Sequence, residues 1–112
     1  MAEKIKLVQG DTGPQLKLTL TDQNTGEPVD LLGATLTLRL RATGETTILV
    51  TRTGYLNPDT APLGEVIFTW TTGDLDLPAG SYEGEVEVVF ADGVRQTVYE
   101  VLKFSVREDF GG

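Results

Sequence analysis

The sequence predicts an all-β protein, an immunoglobulin-like antiparallel β-sandwich of about seven strands, and three observations predict it. Apolar and polar residues alternate with a period of two in several separate stretches. Turn-forming residues punctuate those stretches, and a Gly-Ser-Tyr corner opens the longest of them. A period of two sends successive side chains to opposite faces, which is what a half-buried strand requires. No long window repeats apolar residues at the three- and four-residue spacing of an amphipathic helix.

Strands are expected near residues 4–9, 15–21, 34–41, 46–53, 64–71, 81–90 and 95–106. Leu16, Leu18 and Leu20 alternate with Lys17 and Thr19, and Leu36, Leu38 and Leu40 with Thr37, Arg39 and Arg41. Val66, Phe68 and Trp70 share one phase, which assigns Trp70 to the core. Tyr82, Gly84, Val86, Val88 and Phe90 form the longest series. Ile48-Leu49-Val50 and the stretch from Val98 to Phe104 are apolar on both faces. A two-sided apolar strand is either central or covered by another chain. Tyr99 breaks the local alternation, as a bulge or a strand covered on both faces would.

The connections carry 13 glycines and 5 prolines between them and the strands. Asp22 to Pro28, Ala42 to Gly44 and Tyr55 to Gly64 separate successive strands, and Asp92-Gly93 sits where a tight hairpin needs positive φ. Seven short strands so punctuated suggest a sandwich. Gly80-Ser-Tyr82 resembles the tyrosine corner of such domains, whose phenol bonds back to upstream backbone. Gly84 stands where antibody domains place their second cysteine, and Leu75 and Leu77 are expected to plug the sandwich end. In this arrangement the third and sixth strands are neighbours. Arg39 and Arg41 should then face Glu83, Glu85 and Glu87 across one outward surface and fix the register.

The 112 residues fit one domain, residues 1–112, with an N-terminal arm near 1–14 and a C-terminal tail near 107–112. Seventeen acidic against nine basic residues give a formal charge of −8. That sign disfavours nucleic acid, which needs clustered Lys and Arg, and anionic membrane surfaces. No apolar run has the length of a signal peptide or a membrane span, so synthesis in the cytosol without export by a cleaved signal is expected.

The chain has no Cys and no His, which removes nucleophile–His pairs and the common zinc and copper ligand sets. No glycine pattern opens a helix to cradle phosphates. Asp11-Thr-Gly13 resembles half of an aspartic-protease pair, but only one copy occurs and Pro14 follows, so it reads as a turn. Asp74 and Asp76, even with Asp59 added, offer too few oxygens for calcium and read as turn residues. The expectation is therefore a protein that is not an enzyme, with no cofactor, no metal and no small-molecule substrate. An alternative is a carbohydrate- or surface-binding module, for which Tyr55, Tyr99 and Phe110 would supply aromatic faces.

The text also resembles a family. Gln9-Gly-Asp-Thr-Gly13, Leu18-Thr-Leu-Thr-Asp22, Gly26-Glu-Pro-Val-Asp-Leu-Leu-Gly-Ala34 and Leu36-Thr-Leu-Arg39 come in order, then Gly64-Glu-Val-Ile-Phe-Thr-Trp70, Gly80-Ser-Tyr-Glu-Gly-Glu-Val86 and Phe90-Ala-Asp-Gly93. Over residues 5–106 this is similar to the N-terminal domain of siphophage baseplate upper proteins. The resemblance implies a bacteriophage virion structural protein, present in several copies and assembled from neighbouring virion proteins in the cytoplasm of a bacterial host. No helical linker or receptor-binding portion follows Gly112, so a tail or baseplate, neck or capsid-decorating place is expected. The expected partner contacts are Ile48, Leu49, Val50, Tyr99, Val101 and Phe110.

Overall fold

The alternation in the sequence becomes two sheets facing each other across one apolar core. The computed structural model describes residues 5–22, 24–98 and 101–110. Its strands are β1 (Ile5–Val8), β2 (Gln15–Thr19), β3 (Thr35–Ala42), β4 (Val50–Thr53), β5 (Glu65–Thr69), β6 (Gly80–Val89), β7 (Arg95–Thr97) and β8 (Leu102–Arg107). A single 3-10 turn, Ala61–Leu63, precedes β5. The first sheet runs β1-β8-β6-β3-β4, with β7 also on β6, and the second holds β2 and β5. The chain is an immunoglobulin-like β-sandwich. Among the described residues every ladder is antiparallel except β1 on β8, which is parallel.

The inward phase is the one expected. Leu36, Leu38 and Leu40 of β3, Val86 and Val88 of β6, Val66 and Phe68 of β5, and Phe104 and Val106 of β8 are all buried. Trp70 joins them with its ring edge-on to Phe104, centroids 6.4 Å apart and planes at 83°. Leu75 and Leu77 are buried as end plugs. Gly84 has no room for a side chain, because an added Cβ would lie 2.7 Å from the Phe104 ring and 2.9 Å from Leu40.

Two strands depart from expectation. The strand expected over 46–53 starts only at Val50, so Ile48 and Leu49 precede it and are exposed, whereas Val50 turns into the core. Val50 is thereby corrected from partner contact to core residue. Its two-sided apolar run combines one buried end with an exposed approach. The strand expected over 95–106 is broken into β7 and β8. Glu87 pairs with Thr97 and Gly84 with Leu102, so this stretch carries two residues more than the β6 segment opposite. Tyr99 itself lies outside the described residues.

Tyr82 closes the corner as expected. Its ring is buried and its hydroxyl donates to the carbonyl of Pro78. Burial raises the pKa of the phenol, so it stays protonated. Tyr82→Phe keeps the ring and removes only the donor, so thermal or urea unfolding should show a loss of about 1 kcal/mol. An unchanged stability would mean the hydroxyl bond contributes nothing to the corner.

Candidate protein-contact surface

The outward face of the first sheet is a charged ladder set by register. β3 pairs with β6 so that Arg41 stands opposite Glu83, Arg39 opposite Glu85 and Thr37 opposite Glu87. Arg41 Nε donates to Glu83 Oε1 at 3.0 Å, and Lys103 of β8 reaches the other oxygen at 3.5 Å. Arg39 crosses diagonally to Glu87 at 3.8 Å, and Arg95 of β7 approaches the same carboxylate at 3.9 Å. Sequence reasoning placed the two arginines and three glutamates on one face. It did not include Lys103 and Arg95, which the β6–β8 and β6–β7 pairings supply.

The hydrogen bond from Arg41 is the main cause holding the Glu83 carboxyl below its ordinary value of 4.5, opposed by partial desolvation and aided by Lys103. A carboxyl whose pKa is lower folded than unfolded stabilises the fold above the unfolded value. That contribution is lost as pH falls through the folded pKa. Arg41→Gln should therefore move the Glu83 titration upward, towards but not fully to the ordinary range because Lys103 remains. Carboxyl-carbon NMR reads this directly, and an unmoved titration would show that Arg41 is not the main cause.

Ile48 and Val101 border one shallow depression of about 110 Å³ on this face, between them Arg39, Arg41, Glu83 and Glu85. Ile48 is 47% exposed and Leu49 is 46% exposed, while Val101 is half-buried. Two of the expected contact residues, far apart in sequence, thus meet on a single surface, with Leu49 adjoining. Phe110 stands apart in the tail, 92% exposed, with the Arg107 guanidinium 5.0 Å over its ring.

The other candidate residues have local duties. The Gly10-Asp11 segment is a turn in which Asp11 N–H donates to Val8 O at 3.2 Å. Asp74 Oδ2 accepts from the N–H and hydroxyl of Thr71 at 2.7 and 2.9 Å and pairs with Arg52 at 3.4 Å. Asn57 rather than Asp59 supplies the side-chain acceptor in its turn, taking the Asp59 N–H at 2.9 Å. Among the described residues no group of three or more acidic side chains is gathered as a metal ion would need. Tyr55 is 59% exposed, its backbone joined to Ile67 by two hydrogen bonds of 2.7 and 3.0 Å.

No protein-family model matches the chain, and no curated protein matches its sequence. Among solved structures, CopC from Methylosinus trichosporium OB3b is similar over 94% of this chain and 84% of its own, with 19% identity and a TM-score of 0.52. Murine CRIg is similar over 94% and 92%, with 14% identity and a TM-score of 0.41. The likeness to CopC is one of fold, the immunoglobulin-like β-sandwich.

Proposed function

We propose that the chain is a non-enzymatic structural component of a bacteriophage virion, in the tail or baseplate, the neck or on the capsid, held there by protein–protein contacts. The observation that carries this reading is the apolar group of exposed Ile48 and Leu49 and half-buried Val101, set around the charged ladder. Apolar side chains flanking a register-fixed row of charges offer both apolar area to bury and charges to match, as a surface covered by another subunit does. The motif series resembling the baseplate upper protein domain supplies the virion context. Several copies per particle, assembled in the host cytoplasm, follow from that context.

The test is incorporation. A chain carrying both Ile48→Lys and Leu49→Lys should fold with little change in melting temperature, since both side chains are half exposed, yet be missing from purified particles. Incorporation at the unaltered level would remove this surface from the proposal. A second reading, a carbohydrate-binding module, is favoured only by Tyr55, an exposed ring on a backbone tied to Ile67. Glycan titration that vanishes in Tyr55→Ala would support it.

A further inference from the structure

We propose that the outer edge of β2 and the apolar groove beside it receive an extended segment of a different polypeptide, which adds a strand to the two-stranded sheet. This deepens the proposed function, resting on its premise that the chain works through protein contacts but not on which particle it belongs to.

The hydrogen-bond directions identify the edge. Leu20 N–H donates to Gly64 O at 2.8 Å, so Leu20 faces β5. Leu18 and Leu16, opposite Val66 and Phe68, share that direction by alternation. Ile67, opposite Lys17, turns its N–H and C=O the other way, to Tyr55. The backbone groups of Lys17 and Thr19 therefore point away from β5, and among the described residues no strand lies on that side of β2. The outer edge of β5, by contrast, is occupied by Tyr55 at Ile67. An unpaired row of N–H and C=O groups is a template for strand addition.

The space beside this edge fits alternate side chains. Two adjoining depressions of about 420 and 270 Å³ share Leu20, Thr21 and Val98. Leu18, Leu20, Phe90, Val98 and Leu102 supply their apolar lining and are only half-buried, although all pack against the core, while Asp22, Asn24 and Gln96 make the rim of the larger one polar. A strand laid along β2 would turn every second residue into this groove, so the segment sought is apolar at alternate positions. Its source is a different protein. A symmetric β2–β2 pairing centred on Lys17 would set two lysines face to face and join two chains of charge −8.

The experiment uses a short synthetic peptide alternating valine with threonine, and a shuffled peptide with its valines contiguous. On adding the alternating peptide, NMR hydrogen exchange at the Lys17 and Thr19 amides should slow. Lys17→Pro removes an outward N–H and no bond to β5, so it should fold normally and bind at least roughly tenfold more weakly. Should that variant not fold, methylating the peptide's own amides on one side only gives the same answer, since just one of the two sets faces β2. Absence of binding at about millimolar peptide, equal binding of the shuffled peptide, or equal effect of methylation on both sides would overturn the proposal. A homodimer that Lys17→Pro dissolves would overturn the assigned occupant. Particles lacking the chain would refute the virion reading and leave these results standing.

Discussion

Phe104→Ala should lower the stability of the sandwich by about 3–5 kcal/mol, because it deletes the ring on which both sheets close. Phe104 is fully buried in β8, lies opposite Tyr82 in register, meets Trp70 edge-on and fills the space that Gly84 leaves open. Nothing nearby can collapse into the vacancy without moving a strand, since the neighbours are held by ladders on both sides. Domains of this size are stable by roughly 5–15 kcal/mol, so the loss is a large fraction of the total. The melting temperature should fall by on the order of 15 °C, and the urea midpoint should fall in proportion. A loss below about 1 kcal/mol would mean that the ring is not the centre of the core.

Gly64→Ala should be the most damaging change outside the core, at roughly 2–5 kcal/mol from two causes. The residue ends the 3-10 turn with φ of 85°, a left-handed conformation that alanine adopts only with strain. Its added Cβ would also fall 2.3 Å from the carbonyl oxygen of Leu20, which is backbone and cannot swing aside. The same pair makes the hydrogen bond that begins the β2–β5 ladder, so relief of the clash opens that ladder. Gly26→Ala separates the two causes, since Gly26 has φ of 74° and nothing within 4 Å of an added Cβ. It should cost only about 1 kcal/mol. Equal losses in chemical denaturation of the two variants would show that the close approach to Leu20 is unimportant.

The strand phases were legible because burial on one face writes itself as alternation. Leu36, Leu38 and Leu40 beside Val86 and Val88 needed no further information, and the arginine–glutamate face followed from the same phase. The tyrosine corner was legible for a different reason, a local motif with a fixed hydrogen-bond geometry. The start of β4 was not. Ile48 and Leu49 have the composition of a strand, and only the pairing partner on β3 decides that the ladder begins at Val50. The split between β7 and β8 was half visible, since the broken alternation marked an irregularity without giving its two-residue size. The groove beside β2 was hidden from sequence reasoning. Its residues come from β2, the end of β6 and the last strand, and half-burial of Leu18 and Leu102 is a consequence of one sheet having fewer strands than the other.

The contact surface drew on both kinds of information. Ile48, Leu49 and Val101 were selected for apolar character at positions where alternation fails. Their meeting across the charged ladder depends on β3, β6 and β8 being neighbours, which is topology rather than composition. Trp70 illustrates the reverse case. Its phase with Val66 and Phe68 assigned it to the core against the attraction of reading a lone tryptophan as a binding residue.

The proposed role is that of a subunit built into a particle. Peptide mass spectrometry of purified phage particles, calibrated against a known structural subunit, tests it most directly. Intact particles should yield peptides of this chain at several copies each, lost when Ile48→Lys and Leu49→Lys are introduced together. Recovery of the chain only from the unassembled soluble fraction, with particles complete without it, would contradict the account.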